Sequence, residues 1–400
     1  MIQICYFRDM KRIILSLFVC LVALSAYAQD NLSFFEQEFE PYLYGRMNND
    51  AGVGKKWYRR FSVFHITDVH GNCPLLTEAV KAAQGRADII VNTGDDANGC
   101  ETKDAPQNRI VHQRIARTVT EANTGKVRYV NVPGNHDVPG LTKEDYFDCM
   151  ARLDETFCPG IVWGDAGGKR NFGYYDVESA SMGTFRFILL DPFDYPDGQF
   201  ETRKFMTATF SQSQVDWLIR TLKDAASKGL HVITLMHYSF GDNSLDFSEQ
   251  RAKPDARFYQ DAFMIPDIID AAQNGIRLTA EYPDALGVNN IRIDADFSGG
   301  SRLDYICHLF GHIHSKNNYW CQKTDGSKVY DILMLGEANL SISGTALCKI
   351  HVTPNSPHQI AFSALMIDTV EKAIYRVSYG AYLNYDKSNS SRTEKFPYRR

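Results

Sequence analysis

The chain has 400 residues, of which 44% are hydrophobic, 23% charged and 12% aromatic, an ordinary composition for a folded protein. Its formal net charge of -5 provides no basic excess and argues against a general nucleic-acid-binding protein. This length suits one large hydrophobic core or two modest ones.

Residues 1–28 have the pattern of a secretory signal peptide. Lys11 and Arg12 precede the apolar run 13–24, and the sequence Ala-Tyr-Ala at 26–28 follows as a cleavage signal. The apolar run is too short to span a bilayer comfortably. We therefore expect an exported protein, periplasmic or extracellular, with no membrane anchor after signal removal.

Strand and helix patterns alternate in the first half of the chain. The predicted strands are 62–67, 87–92 and 127–132, and the predicted helices are 74–83 and 107–123. This alternation predicts parallel βαβ units, in which the working residues lie in loops beyond the carboxyl ends of the strands.

The second half continues the α/β pattern. A helix is predicted over 212–228, with Ser211 as its N-cap and Gly229 at its end. The predicted strands are 185–190, 231–236, 305–310, 328–335, 345–352, 361–367 and 373–378.

The composition also divides the chain into segments. Residues 29–57 are interpreted as an N-terminal lead-in, 58–385 as the folded domain and 386–400 as a polar C-terminal tail. Residues 240–300, with one helix near 266–273, are interpreted as an insertion over the active-site face. The alternative is a surface elaboration without substrate contact.

Metal-ligand residue types follow the predicted strands. Carboxylates, imidazoles and one amide favour Zn, Mn, Fe, Co or Ni over metals that prefer thiolates or oxygen alone. Seven ligand-type residues exceed the needs of one four-coordinate zinc and suit two metals about 3.5–4 Å apart that share a carboxylate. In chain order the strand ends present these seven residues, Asp68, His70, Asp95, Asn135, His237, His312 and His314, and also His136, which is set aside as a ligand.

These motifs together resemble those of the calcineurin-like metallophosphoesterase family. The resemblance spans residues 60 to about 350 and rests on five motifs in order: DxH at 68–70, GD at 94–95, GNHD at 134–137, His237 after a strand, and GHxH at 311–314. It implies an α/β fold in which two mixed sheets, flanked by helices, form a four-layer α/β/β/α sandwich.

The resemblance also implies a role for each site residue. The first metal would be held by Asp68, His70 and His314, and the second by Asn135, His237 and His312, with Asp95 bridging both. His136 would face the substrate and donate a proton to the leaving oxygen, with Asp137 orienting it. Gly94, Gly134 and Gly311 would allow sharp turns and close approach of the backbone.

The predicted reaction is hydrolysis of a phosphodiester or phosphomonoester of a small molecule. A hydroxide bridging two divalent metal ions would attack phosphorus, and His136 would assist the leaving group. The DxH and GNHD motifs fit class III phosphodiesterases best, although secreted 5′-nucleotidases have a similar sequence at 67–71. The alternative is a catalytically silent, metal-stabilised protein that binds a phospho-ligand.

Other polar residues receive structural interpretations. His65 and His308 lie within strands, Asp96 is a hydrogen-bonding loop residue, and Asp191 belongs to a turn. Arg109, His112 and Arg170 are interpreted as solvated helix or loop residues, with substrate phosphate as the alternative partner. Cys149 and Cys158 lie close enough in sequence to close a small loop, and Cys307 is predicted to be buried.

Overall fold

The computed structural model describes residues 39–47, 56–99, 105–138, 156–164, 172–194, 209–240, 263–283, 290–314, 316–323, 326–337, 360–380 and 393–399, with a few isolated positions between them. Helices within these residues are α1 (Glu40–Leu43), α2 (Cys73–Ala83), α3 (Ala105–Ala122), α4 (Gln212–Lys228) and α5 (Met264–Asn274). None of them is long and apolar enough to cross a membrane.

The strands of the same residues, in chain order, are β1 (Tyr44–Met47), β2 (Lys56–Arg59), β3 (Phe61–Ile66), β4 (Ile89–Asn92), β5 (Arg128–Asn131), β6 (Val162–Trp163), β7 (Gly173–Ser179), β8 (Gly183–Leu189), β9 (His231–Leu235), β10 (Arg277–Tyr282), β11 (Ile291–Asp296), β12 (Asp304–Phe310), β13 (Asn317–Gln322), β14 (Val329–Gly336), β15 (Ala361–Asp368), β16 (Ala373–Gly380) and β17 (Thr393–Pro397).

Most of these strands belong to two mixed sheets. The six-stranded sheet has the order β17-β16-β15-β3-β4-β5, and its strands β3, β4 and β5 are parallel, as the alternating pattern predicted. The seven-stranded sheet has the order β13-β14-β12-β9-β8-β7-β6, with β8, β9, β12 and β14 parallel. Antiparallel strands complete both edges of the seven-stranded sheet and the β17 edge of the six-stranded sheet.

The two sheets pack face to face through a common apolar core. Phe61 and Val63 of β3 lie in this core with Phe185 and Phe187 of β8. The rings of Phe61 and Phe185 are stacked, with centroids 4.0 Å apart. This contact joins the middle of one sheet to the other.

Helices cover the outer faces of both sheets. A second core places α2 and α3 against the six-stranded sheet, and a third places α4 and α5 against the seven-stranded sheet. Because β3 is covered on both faces, all six of its residues are buried, and the strand reads as a continuous run without alternation. The implied four-layer sandwich of two mixed sheets flanked by helices is confirmed.

Local signals set the helix ends as predicted for α4. The Ser211 side chain accepts a hydrogen bond from the backbone N of Gln214, and Gly229 ends the helix in the left-handed conformation with φ 65°. At α2, the side chain of Asn72 accepts from the backbone N of Leu75, and Pro74 occupies the first turn.

The described part of segment 240–300, residues 263–283 and 290–300, includes α5 and the hairpin of β10 and β11, and its position over the active-site face stays a prediction. Helix α5 buries Ile265, Ile268 and Ile269 in the core that it shares with α4. Its polar side contacts the start of β14, where Asp267 accepts hydrogen bonds from Lys328 and Tyr330. An amphipathic helix needs an apolar partner, and the outer face of the sheet supplies it. Residues 241–262 lie outside the described part of the chain.

Strand β17 extends the six-stranded sheet beyond the predicted boundary at 385. It pairs with β16 in antiparallel register, and Tyr398 just beyond it is fully buried between the sheets. Residues 386–400 are polar in composition, so the sequence pattern did not predict this strand. Its Glu394 forms ion pairs with Arg376 and Lys316.

The lead-in segment likewise packs on the domain where it is described. Phe39 is buried and contacts Phe64 of β3 edge-to-face, with ring centroids 5.6 Å apart. Strands β1 and β2 then form an antiparallel pair. The predicted strand 345–352 lies outside the described residues.

Candidate metal centre

The carboxyl ends of strands from both sheets meet at one edge of the sandwich. β3, β4 and β5 end there in one sheet, and β9 and β12 end there in the other. Parallel strands bring the loops that follow them to the same edge. These loops carry every predicted site residue, namely Asp68, His70, Asp95, Asn135, His136, Asp137, His237, His312 and His314.

The first group of ligand atoms contains side chains from three loops. Asp68, His70, Asp95 and His314 each offer one atom, and these atoms lie within 4.8 Å of one another. His314 Nε2 lies 2.9 Å from Asp68 Oδ1, and His70 Nε2 lies 3.8 Å from the same oxygen. The two imidazole nitrogens are 3.3 Å apart. All of these atoms face one small volume.

The second group shares Asp95 with the first. Its ligand atoms come from Asp95, His237 and His312 and also lie within 4.8 Å of one another. His237 Nε2 lies 3.2 Å from Asp95 Oδ2 and 3.0 Å from Asn135 Oδ1. His312 Nδ1 lies 2.8 Å from the same amide oxygen. Asn135 therefore adds a fourth ligand atom to this group.

The carboxylates of Asp68 and Asp95 each use one oxygen to accept hydrogen bonds and leave the other available to a cation. Asp68 Oδ2 accepts hydrogen bonds from Thr67 Oγ1 and the backbone N of His312, while Asp95 Oδ1 accepts from the backbone N of His136. Among the described residues, Asp68 Oδ1 and Asp95 Oδ2 are buried without a hydrogen bond. A buried oxygen in that state is costly unless something else satisfies it. Divalent cations among these nitrogen and oxygen atoms fit that requirement.

Backbone carbonyls set the tautomers of two histidines. His237 Nδ1 lies 2.7 Å from the carbonyl oxygen of Thr93, and His70 Nδ1 lies 3.1 Å from that of Ala97. Each Nδ1–H donates to its carbonyl, so the lone pair of Nε2 points into the ligand group. Metal-binding histidines are commonly held in this way.

Backbone strain is concentrated at the same loops. In the described part of the chain, the non-glycine residues with positive φ are Lys126, Lys372 and five ligand residues: Asp68, His70, Asp95, His312 and His314. Their φ values of 47–67° lie in the left-handed region, which costs free energy for residues with a Cβ. Strain that clusters this way points to a function that needs these side chains in place.

The motif glycines have two different roles. Gly94 has φ 97°, so it provides the turn that precedes Asp95. Gly134 and Gly311 are needed for close packing. A Cβ on Gly134 would lie 2.2 Å from Asp95 Oδ1, and one on Gly311 would lie 1.9 Å from Thr67 Oγ1.

When no cation is present, the charges around the second group favour a protonated His237. Burial disfavours a charged His237, but the carboxylates of Asp95 and Asp68 outweigh burial and raise the pKa of His237 to about 9. Burial and the neighbouring His237 lower the pKa of His312 to about 3. A cation on these ligands would replace the proton and balance the same two carboxylates.

Comparison with known sequences identifies the family. The calcineurin-like phosphoesterase family matches residues 61–316, which is more than half of the chain and includes every ligand residue. The chain belongs to this family. It is therefore a hydrolase of phosphoric esters. No curated protein sequence matches the chain significantly.

Two solved structures are similar to this phosphoesterase. A dimetal phosphatase from Danio rerio matches 84% of this chain and 99% of its own, with 16% identity and a TM-score of 0.51. A purple acid phosphatase from yellow lupin (Lupinus luteus) seeds matches 86% of this chain and 57% of its own, with 12% identity and a TM-score of 0.46. The first similarity supports the two-sheet architecture described above.

His136 lies beside the ligand groups of the phosphoesterase. Its Nε2 is 3.9 Å from Asp95 Oδ2, and its ring meets the ring of His70 edge-to-face with centroids 5.2 Å apart. The side chain is 22% exposed, whereas those of Asp68 and Asp95 are buried. The ring thus reaches both the centre and the solvent.

The carboxylate of Asp137, which is expected to orient His136, contacts backbone N–H groups of two loops. It accepts hydrogen bonds from the backbone N of Asp95, Ala97 and Gly134, at 2.8 Å each. Asp137 therefore joins the GD loop to the GNHD loop. It positions the backbone that carries His136 and Asp95.

Helix α3 supports this loop through residues that sequence reasoning missed. His112 is fully buried, with Nε2 3.3 Å from the carbonyl oxygen of Asp137, so the predicted solvated position is wrong. Asn108, one turn earlier, donates from Nδ2 to the carbonyl oxygen of His136 at 3.4 Å. Their i, i+4 spacing was the available signal, since it places both on one face of the helix.

The remaining histidine and aspartate interpretations agree with the contacts. His65 Nε2 lies 3.0 Å from Thr93 Oγ1, and His308 contacts Thr234 Oγ1 and the carbonyl oxygen of Tyr238. Asp96 accepts hydrogen bonds from Asn92 and Asn131 in the loop, and Asp191 accepts from the backbone N of Phe193 in a turn.

The other singled-out residues lie away from the ligand atoms or outside the described residues. Arg109 pairs with Asp145. Cys307 is buried, as predicted. Arg170 and Cys149, with the loop that Cys149 was predicted to close, lie outside the described residues.

Proposed function

We propose that this phosphoesterase hydrolyses a small phosphodiester or phosphomonoester at a centre of two divalent metal ions. The observation that carries the proposal is the pair of ligand groups that share Asp95. Asp68, His70 and His314 would hold one ion, Asn135, His237 and His312 the other, and Asp95 both. The nitrogen and oxygen donors suit Mn, Zn, Fe, Co or Ni.

The metal ions supply two functions when bound: they neutralise phosphate charge and lower the pKa of coordinated water. The chain has a net charge of -5, so local positive charge at the site has to come from these ions or from nearby side chains. Asp68, Asp95, Asn135 and His237 are buried, and backbone hydrogen bonds join the loops that carry them, which favours donor atoms already in place for a cation.

His136 is proposed as the proton donor to the leaving oxygen. Its partial exposure lets the ring contact a substrate while its backbone N remains bonded to Asp95. An alkoxide is a poor leaving group, so a positioned acid contributes about 10²–10⁴-fold. Asp137, Asn108 and His112 hold the backbone of this residue.

The competing proposal is a silent protein that binds a phospho-ligand at the same centre. Turnover decides between them. The purified chain with Mn²⁺ or Zn²⁺ is assayed against p-nitrophenyl phosphate and bis-p-nitrophenyl phosphate, with a chelated sample as control. Metal-dependent hydrolysis of either supports the enzyme, and the preferred compound separates monoesterase from diesterase activity. Tight phosphate binding without turnover favours the silent protein.

We also propose that the protein is exported. The support is the signal pattern of residues 1–28, which lie outside the described part of the chain. Expression of the full chain in a bacterial host, followed by N-terminal sequencing of the periplasmic fraction, tests this. A mature chain that begins near Gln29 is expected. Retention of the full-length chain in the cytoplasm would contradict export.

A further inference from the structure

The carboxylate of Asp68 is held asymmetrically. Its Oδ2 accepts hydrogen bonds from Thr67 Oγ1 at 2.8 Å and from the backbone N of His312 at 3.1 Å. Its Oδ1 lies 2.9 Å from Nε2 of His314, with no hydrogen bond among the described residues. The donors on Oδ2 thus direct Oδ1 toward the imidazoles of the first ligand group.

Thr67 is constrained to make this contact. It is fully buried, and its Oγ1 occupies the space that a Cβ on Gly311 would need. A β-branched side chain has few χ1 choices, so the hydroxyl has little freedom to turn away. A carboxylate oxygen accepts but does not donate, so the hydroxyl hydrogen must lie between Thr67 and Asp68.

We propose that Thr67 is a positioning residue that sets the metal affinity of the site formed by Asp68, His70 and His314. This inference rests on the proposed two-metal centre. Without the hydroxyl, Oδ2 would keep only the backbone N–H of His312, and the carboxylate would gain freedom to rotate. Loss of a residue that hydrogen-bonds to a metal ligand typically lowers metal affinity by about 10–100-fold.

Thr234 offers a matched control in a strand of the other sheet. It too is fully buried and lies in a parallel strand, β9. Its hydroxyl lies 2.6 Å from the Tyr305 hydroxyl and 2.9 Å from His308 Nδ1, and neither residue is a proposed ligand. Thr234→Val therefore removes a buried hydroxyl of the same kind without removing a hydrogen bond from a ligand carboxylate.

The test measures Mn²⁺ binding by titration calorimetry on metal-stripped protein. Wild type, Thr67→Val, Thr67→Ala, Thr67→Ser and Thr234→Val are compared, with thermal unfolding in chelator as a check of folding. Two sites are expected in wild type. Thr67→Val and Thr67→Ala are expected to weaken one site by about 10–100-fold. Thr67→Ser and Thr234→Val are expected to retain wild-type affinities at both sites.

Three outcomes would overturn the inference. Wild-type affinity at both sites in Thr67→Val and Thr67→Ala would show that the hydroxyl is dispensable. An equal loss in Thr234→Val would indicate a general packing effect. Fewer than two sites in wild type would overturn the proposed metal centre and, with it, this role for Thr67, which distinguishes the two failures.

Discussion

Asp95 joins the two ligand groups, and three separate features of the chain hold it. Its Oδ1 accepts from the backbone N of His136, its own backbone N donates to Asp137, and Gly94 before it supplies the positive φ of the turn. The free Oδ2 then faces His237 at 3.2 Å. At the scale of single residues, the site depends on backbone hydrogen bonds as much as on side-chain identity.

Replacement of the proposed acid separates binding from catalysis. His136→Ala is expected to keep both metal ions, because its hydrogen bond to Asp95 comes from the backbone N. Turnover is expected to fall by about 10²–10⁴-fold. Phenyl phosphate, with its poor leaving group, should lose more activity than 2,4-dinitrophenyl phosphate. Steady-state kinetics measures the activity toward each substrate, and metal analysis measures the bound ions. Loss of metal, or an equal loss of activity toward the two substrates, would contradict the role of His136 as proton donor.

A single methyl group at Gly134 is expected to disrupt the centre. Gly134→Ala places a Cβ 2.2 Å from Asp95 Oδ1 and 2.3 Å from its backbone N, so the shared ligand has to move. Metal bound per chain should fall, as measured by plasma emission spectroscopy after dialysis. The control is Gly299→Ala, whose Cβ would meet nothing within 4 Å. Equal metal content in the two variants would contradict the packing argument.

At the scale of elements, the parallel strands β3, β4 and β5 and the antiparallel strands β15 and β16 were predictable, whereas the edge strands β6, β13 and β17 were not. β3, β4 and β5 are short runs with buried apolar residues, each followed within a few residues by Gly, Asp or Asn, and periodicity with turn chemistry is enough to find them. β17 is polar because its exposed side faces solvent and Glu394 on it pairs with Arg376. Such a strand is stabilised by partners distant in sequence, which local pattern does not reveal.

The contact between sheets gives a prediction at this scale. Phe185 is fully buried and stacks on Phe61 across the sandwich. Phe185→Ala is expected to lower the free energy of unfolding by about 3–5 kcal/mol, because it removes buried area and leaves a cavity. Urea unfolding in chelator measures this. Ile110→Ala, at a position 54% exposed, should change stability by less than about 0.5 kcal/mol, and similar values for both variants would contradict the packing described.

At the scale of the whole molecule, the site depends on both sheets. Asp68, Asp95 and Asn135 follow strands of one sheet, whereas His237 and His312 follow strands of the other. The motifs predicted the ligands because each follows a strand. Tertiary packing, which no motif encodes, sets the distances between loops of different sheets. It also sets the contacts of α3 with the loop that carries Asp137 and the position of α5.

Metal binding is therefore expected to stabilise the whole domain. Cations that bind the folded chain but not the unfolded one add about 2.7 kcal/mol per site at 100 times the dissociation constant. Mn²⁺ should raise the midpoint of thermal unfolding, and a chelator should reverse the shift. Asp95→Asn, which weakens the shared ligand, should show a much smaller shift. A full shift in that variant would contradict a centre built on Asp95.

Two ions are expected in the two adjacent ligand groups, and anomalous X-ray diffraction from Mn²⁺-loaded crystals would reveal their positions. One anomalous peak should lie among Asp68, His70 and His314 and a second among Asn135, His237 and His312, with Asp95 between them. A single peak, or peaks away from these side chains, would contradict the two-metal centre.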